Sequence, residues 1–419
     1  MKLSYVGKLT LIFGLTWGLV GLDRMMVGVA AQGFMPDLKL SFTQLGLIVS
    51  ANGLGVALGA WIIGSLSEFY GRRLGAVWGN LAEHIFSGLT GLALTFGQMF
   101  GIRALLGVTF GSVYGPAYAA IAEEAPPEKR GFYIGIAQSF FPLIGMAIGP
   151  VAAGYVLAST GWRPLFFIIA IPGILLTLFL AKFMREPAST AENIRIRKST
   201  GKKVLLHEGK EVHIWDVLKY RNVILMTLVA VSTMAYLYVL FTFVPSFLMK
   251  VHGFSPIKTG WTMGVGGLVV AVGEILAPIY SDRIGRKPML LILFAIGFVG
   301  GILFANAPMG TNYALFVFYF ALFNLGLSSF PLYLATIPTE SVPFTLAATA
   351  VALPMGFGEV VGTTVFPAIG GRIADLYGLT QTLYLVIGAC AVSFVFSLFI
   401  KETAPQVLAK RRGKTNIAA

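Results

Sequence analysis

The chain has almost none of the residues on which disulfide, thiolate or imidazole chemistry depends. A single cysteine, Cys390, stands among 419 residues, so no intramolecular disulfide can form. Four histidines, at positions 84, 207, 213 and 252, have no metal-ligand partners at useful spacing, and neither a metal nor a cofactor is expected. Charge is scarce too: 12% of residues are charged, against about 25% in a soluble domain. A soluble protein of this length would lack the polar surface it needs. The apolar runs hold no Ser/His/Asp constellation, and the large loops of a membrane-bound catalytic domain are missing, which argues against an enzyme.

Apolar sequence fills the space that charge vacates. Hydrophobic residues make up 56% of the chain and the mean hydropathy is +0.80. About 20 apolar residues cross the hydrocarbon layer as a helix. Runs of that kind recur over 9–32, 44–66, 74–96, 98–121, 132–158, 163–184, 222–248, 258–281, 288–307, 312–336, 344–371 and 379–400. The first is too long for a cleaved signal, carries Asp23 and Arg24 inside it and lacks a small-residue cleavage site. An all-α integral membrane protein with twelve transmembrane helices is expected, its partner being the lipid bilayer.

The formal net charge of +13 is a matter of topology, not of nucleic-acid binding. With the N-terminus in the cytoplasm, Lys and Arg gather on one side. They include Arg72 and Arg73, Lys129 and Arg130, ten residues between Lys182 and Arg221, Arg283 to Lys287, and five from Lys401 to Lys414. Lys39, Arg163, Lys250, Lys258 and Arg372 are left for the other side. That asymmetry orients the chain with both termini cytoplasmic. Anionic lipid is the polyanion such a surface meets.

The chain is also duplicated. Gly64-Ser-Leu-Ser-Glu68-Phe-Tyr-Gly71-Arg72-Arg73 returns as Ile279-Tyr-Ser-Asp282-Arg283-Ile-Gly285-Arg286-Lys287, with Glu68 and Asp282 separated by 214 positions. Gly111 and Pro116 match Gly326 and Pro331, while Pro150, Gly154 and Gly161 match Pro367, Gly371 and Gly378. Repeats of this size are halves of a transporter and not a solenoid. The boundaries expected are 1–184, a polar linker over 185–221 with a short surface helix near Trp215, a second half over 222–400, and a tail over 401–419. Glu68 and Asp282 end their spans, where an acid can pair with a following base or cap a helix. With Arg72, Arg73, Arg283 and Arg286 they are candidates for a gate.

These motifs resemble those of the major facilitator superfamily over essentially the whole chain. The segment Gly64 to Arg73 resembles the family's loop motif after the second span, with Glu68 where Asp is usual and Phe69 where Arg is usual. The glycines spaced four apart after Arg103 (Gly107, Gly111, Gly115) resemble the fourth-span motif, and Gly145-x3-Gly149-Pro150-x3-Gly154 the fifth-span motif. The resemblance implies two pseudo-symmetric six-helix bundles around a central cavity lined mainly by spans 1, 4, 7 and 10. The glycine faces themselves are read as structural, letting a neighbouring backbone approach closely.

Each ionisable residue inside a span costs at least about 2.5–3.5 kcal/mol and asks for a reason. Arg24 and Arg103 fall at a similar depth in spans 1 and 4, so both are candidate clamps for a carboxylate, which a planar guanidinium fork suits. The alternative pairs them with Asp23 or Glu83 as structural ion pairs. Asp23 and Arg24 point about 100° apart on a helix, so Asp23 is expected to face another helix or the cavity edge and is the first candidate for coupling. Glu83 and Glu359 are further coupling candidates, and Glu274 also lies within a span. Adding the repeat offset to Arg24 gives Tyr238, which with Tyr236 offers an aromatic, hydrogen-bonding wall for the organic body of a substrate.

The first-span segment Gly21-Leu-Asp23-Arg24-Met-Met-Val-Gly resembles the anion:cation symporters within the superfamily. That resemblance implies uptake of a small organic anion by proton-coupled (or sodium-coupled) symport at the bacterial inner membrane, by a chain acting as a monomer. One departure stands out: the Glu expected seven residues after Arg103 is Phe110. The competing reading is a proton-driven efflux antiporter for drugs or metabolites. Cationic drugs would favour cavity acids, however, whereas the best-placed charges here are arginines.

Overall fold

A peptide group in hydrocarbon finds no water to bond, so a spanning segment must satisfy its own backbone, and a helix does so. The computed structural model describes residues 4–126, 129–187, 206–207, 210–211, 214–343 and 346–410, without the side chains of 60–70, 111–116, 119, 122, 131, 206–207, 210–211, 214 and 348. Among these residues, ten helices are long and apolar enough to cross a membrane. The fourth helix falls below that apolarity because it buries Asn80, Glu83, His84 and Ser87. The chain divides into two compact units. Unit 1 holds 1–203, 241–267 and 364–379, and unit 2 holds 204–240, 268–363 and 380–419.

Unit 1 begins with α1 (Tyr5–Met25), continued after Met26 by α2 (Val27–Asp37). Then come α3 (Phe42–Tyr70), α4 (Arg72–Thr90) and α5 (Phe96–Glu124). The fifth span is α6 (Arg130–Phe140), a π-helical stretch Phe141–Ile148, and α7 (Gly149–Thr160), with Pro150 at the restart; α8 (Arg163–Phe183) closes the half. Helix starts are capped as the sequence allows. Ser4 Oγ accepts from Gly7 N, and Thr95 Oγ1 accepts from Gln98 N at 3.2 Å. Asp375 accepts from Phe42 N, Thr43 N and Thr43 Oγ1 at 2.9, 2.7 and 2.5 Å, answering the orphan donors that begin α3.

The glycine faces act as spacers. A Cβ at Gly55 or Gly59 would collide with the carbonyl of Ala104 or Val108, and one at Gly107 with the carbonyl of Asn52, so α3 and α5 lie backbone to backbone. Gly145 packs likewise on Gly21, and Gly149 on Leu22, which seats the π-helical stretch against α1. At the other end, Leu9, Phe13, Ala117, Ile121 and Leu180 form an apolar cluster.

Unit 2 is carried by α9 (Arg221–Lys250) and α10 (Pro256–Ile284), each of which passes from one unit to the other, and by α11 (Arg286–Ala305) and α12 (Tyr313–Asn324). The tenth span then loses α geometry. A 3₁₀ stretch Leu325–Ser329 and a π-helical stretch Leu332–Thr336 precede the short α13 (Ile337–Glu340). The eleventh span is α14 (Ala347–Phe357), a third irregular stretch Gly358–Thr363 of π type, and α15 (Thr364–Tyr377); α16 (Leu379–Leu398) ends the fold. Phe304 holds unit 2 together by packing on Phe316 and Phe320 at ring separations of 4.8 and 5.0 Å. In the linker, residues 214–219 form a 3₁₀ helix around the exposed Trp215, and Leu206–His207 pairs antiparallel with Lys210–Glu211.

Substituting the spacer glycines tests this packing. Gly107→Val and Gly55→Val force α3 and α5 apart and should destabilise the detergent-solubilised protein by about 1–3 kcal/mol. Gly101→Ala, where an added Cβ meets nothing within 4 Å, should leave the melting temperature unchanged.

Candidate functional site

Hydrocarbon does not tolerate an unanswered charge, and unit 1 answers its charges with one another. Asp23 on α1 turns toward α4 and α5, where its Oδ2 meets Arg103 Nη1 at 2.6 Å and its Oδ1 accepts from Ser87 Oγ at 2.5 Å. Both ionic side chains are almost fully buried, at 3% and 2% exposure. Glu83, one helical turn before Ser87, accepts from Thr109 Oγ1 at 2.7 Å through Oε2, while its buried Oε1 makes no hydrogen bond. His84 is buried with neither ring nitrogen hydrogen-bonded, and its imidazole lies where a Cβ on Gly173 would stand. Four elements of charge thus share one buried region: Asp23, Arg103, Glu83 and, on the next face of α1, Arg24.

Arg24 diverges from Asp23 as the helical rotation requires. Its guanidinium lies 4.3 Å over the ring of Phe110, a cation–π contact. Phe110 stacks on Trp17 at 5.2 Å, and Trp17 in turn packs on Phe141 at 5.3 Å and edge-on to Tyr118 at 5.9 Å. Phe110 therefore sets a flat aromatic surface against Arg24 at the position where the resemblance implies an acid. Arg24 and Trp17 are seven residues apart on α1, and Arg103 and Phe110 are seven apart on α5, so each pair lies along one face of its helix.

In unit 2, Tyr236 is fully buried, stacks on Phe323 at 5.2 Å and donates its hydroxyl to the Phe323 carbonyl, so that hydroxyl is already occupied within the helix packing. Tyr238 is buried as well. Glu359 sits in the π-helical stretch 358–363 and accepts from Thr363 Oγ1 at 3.2 Å.

The loop motifs show a matching pair of devices. Gly71 and Gly285 hold φ of 111° and 112°, a region that favours glycine, and each opens a helix. Glu186 then caps α4 through Arg72 N (2.6 Å) and Arg73 N (3.0 Å), and Glu402 caps α11 through Arg286 N (2.8 Å) and Lys287 N (3.2 Å). The Arg72 side chain reaches Glu123 at 3.5 Å, and Arg73 Nη2 donates to the Ala181 carbonyl. Arg286 Nη2 is clasped by Asp282 at 2.6 Å and Glu340 at 2.8 Å, while Arg283 is exposed. The Glu68 side chain lies outside the described residues.

Sequence reasoning passed over Ser87, Thr109, Glu340 and the two capping glutamates. Glu186 and Glu402 had a signal, since each follows a base just after the sixth span of its half, 216 residues apart. Ser87 and Thr109 had none, being ordinary helix residues until a neighbour brings a carboxylate. Among the described residues no three His, Cys, Asp or Glu side chains group as metal ligands.

Comparison with known proteins adds an independent line. A family profile described as the Major Facilitator Superfamily matches residues 13–360. The hexuronate transporter of Bacillus subtilis is 28% identical over 389 residues, covering 88% of each chain. The cis,cis-muconate transport protein of Acinetobacter baylyi is 26% identical over 413 residues, covering 95% of each. Among solved structures, a bacterial homolog of the human lysosomal transporter Spinster, in an inward-facing unoccupied conformation, aligns with a TM-score of 0.74. It is 18% identical and the match covers 95% of this chain and 98% of that one, a likeness of fold.

The buried pair has a measurable signature. Asp23→Asn or Arg103→Gln alone leaves a charge uncompensated and should cost about 3–5 kcal/mol of stability in detergent. The double variant should cost less than the sum, and strict additivity in that cycle would show that the two side chains do not interact.

Proposed function

The chain belongs to the Major Facilitator Superfamily, as a multi-pass membrane transporter and not an enzyme, and from that premise we propose that it takes up a small organic anion by proton-coupled symport. The observation that carries the reading is Arg24, a permanently charged fork buried on an aromatic platform. Phe110 orients the guanidinium through its ring face, and a guanidinium fork is the donor geometry that suits a carboxylate. Hexuronate and cis,cis-muconate, carried by the two relatives, are both carboxylates, which fits a cation of this kind.

Arg103 enters through Asp23. While Asp23 is ionised it holds Arg103 in a closed pair, and the local charge of the pair is zero. A proton on Asp23 ends that neutrality, and Arg103 adds its charge to that of Arg24 where the anion is held. Proton and anion then favour each other's binding, as symport requires. Glu83 stands in the same field with one carboxylate oxygen unbonded, and is the second group in unit 1 able to carry the proton. Tyr238 and Tyr236 are the residues read as the aromatic wall for the organic body of the substrate, although the Tyr236 hydroxyl is engaged by the Phe323 carbonyl. The positive-inside asymmetry supports reading the capped ends of α4 and α11, with Glu68, Arg72, Arg73, Asp282, Arg283 and Arg286, as a gate on the cytoplasmic side.

A proteoliposome uptake screen over sugar acids, dicarboxylates and aromatic acids tests the proposal. Uptake of at least one such anion, driven by an inward proton gradient, is expected, while transport of organic cations in its place would overturn it. Arg24→Lys should weaken apparent affinity roughly ten- to a hundredfold, the loss of about 1.5–3 kcal/mol that a charged hydrogen bond contributes. Asp23→Asn should abolish gradient-driven accumulation and keep counterflow exchange; accumulation that survives in that variant removes Asp23 from the coupling step.

A further inference from the structure

The polar face of α4 runs on past the charges already described. Ser87, Glu83 and Asn80 fall on one side of that helix, four and three residues apart, and all three are buried. Ser87 is bonded to Asp23 of α1. At the other end of the row, Asn80 lines a cavity of about 260 Å³ with Thr16, Trp17 and Val20 of α1 and Ala117 and Tyr118 of α5. These contacts fix the run of α1 beside α4, with Asp23 opposite Ser87 and with Thr16 and Val20 opposite Asn80. The cavity therefore begins about 10 Å along the helix axis from the Asp23–Arg103 pair, and Glu83 stands between the two.

Both oxygens of Asp23 are engaged, Oδ2 by Arg103 and Oδ1 by Ser87, whereas Glu83 has one oxygen bonded to Thr109 and the other without a hydrogen bond. Asn80 donates its amide to the Ala76 carbonyl at 2.8 Å, while its Oδ1, fully buried, makes no hydrogen bond. Residues three apart on a helix hold their Cβ atoms about 5–6 Å apart, which puts these two side chains within reach of one bridging water. Buried polar atoms are normally satisfied, and two unanswered oxygens a turn apart call for a shared partner. The Thr16 hydroxyl, which donates to the Phe13 carbonyl at 3.0 Å, adds an acceptor on the opposite wall, so the cavity meets the needs of water in both room and polarity. Leu9, Phe13, Ala117 and Ile121 close its far end, and the half-buried Trp17 and Tyr118, edge-on at 5.9 Å, form its rim.

We propose that water in this cavity is the conduit by which the coupling proton leaves Glu83, and that Asn80 is the positioning residue that holds the water against the carboxyl. The inference rests on the proton-coupled reading and adds to it a path for the proton. In the step itself the O–H bond at Glu83 Oε1 breaks, the proton bonds to the adjoining water, and a carboxylate remains. The positive charge then passes between waters to the rim at Trp17 and Tyr118. Arg24 of α1 and Arg103 of α5 attract the carboxylate left behind, Asp23 of α1 repels it, and His84 is the titratable neighbour on α4 itself. Trp17 also stacks on Phe110, which carries Arg24, so proton and anion are handled at the two ends of one aromatic stack.

Two measurements decide the matter, and the first needs no anion. In purified protein at mildly acidic pH, infrared spectroscopy follows the carboxyl C=O band that Glu83→Gln removes, and transfer to heavy water reports how fast its proton exchanges. Asn80→Leu and Ala117→Leu fill the cavity with hydrocarbon and should each slow that exchange about a hundredfold, the low end of what a positioned proton transfer contributes. Asn80→Ser keeps an oxygen and room for water and should restore most of the rate. Exchange that both leucine variants leave unchanged in folded protein overturns the route, as does a wild-type protein with no such band. The second measurement is proteoliposome transport, with a hexuronate and cis,cis-muconate as the first probes. Asn80→Leu should lose gradient-driven uptake while keeping counterflow exchange and apparent affinity. Equal loss of affinity in Asn80→Leu and Asn80→Ser would make Asn80 a substrate contact and overturn the route. A wild-type protein that accumulates no anion on a proton gradient overturns the transport reading and the route's role in it, whereas unchanged carboxyl exchange overturns the route alone.

Discussion

The pair between Asp23 and Arg103 is the constraint from which the polar interior of unit 1 follows. An arginine cannot shed its charge, so placing Arg103 at a buried level of α5 obliges a neighbour to supply an anion there. Asp23 supplies it, and in doing so sets the rotation of α1. With Asp23 turned to α4 and α5, Arg24 is carried to the adjacent face and onto Phe110. Ser87 completes the shell of Asp23, and Thr109 of α5 accompanies Glu83, so the buried polar residues of α4 serve the charges of its neighbours.

Close approach of helices is the second requirement. The 2.6 Å contact of Asp23 with Arg103 sits next to a seam in which α3 and α5 touch through Gly55, Gly59 and Gly107. The small residues are therefore connected to the chemistry although they take no part in it. The same holds for the fifth span, where Gly145 and Gly149 bring the π-helical stretch and Phe141 against α1, so that Phe141 can flank Trp17 beneath the Arg24 platform.

The duplicated halves keep their scaffolding and differ in their charge chemistry. Gly71 with Glu186 and Gly285 with Glu402 are the same helix-start device built twice. In the interior the symmetry is gone. Unit 1 sets Asp23 against Arg103, whereas in unit 2 Glu359 accepts from Thr363 within a π-helical stretch and Glu274 lies on α10. Caps and spacers are constrained by the fold that both halves share.

The amino-acid sequence alone determined the membrane class, the spans, the duplication and the family, because each rests on local quantities: run length, hydropathy, glycine spacing and an internal offset. It also singled out Asp23, Arg24, Arg103 and Glu83, since any ionisable residue inside an apolar run is conspicuous. Whom each of these meets was decided by tertiary structure. Rotation of α1 chose Arg103 over Arg24 as the partner of Asp23, and packing of α5 turned Phe110 from an apparent defect into the support of Arg24. The hydroxyls of Ser87 and Thr109 became visible only when folding brought carboxylates beside them. Sequence distance carries no record of such contacts: residues 64 positions apart, such as Asp23 and Ser87, become hydrogen-bonded only through the packing of α1 against α4.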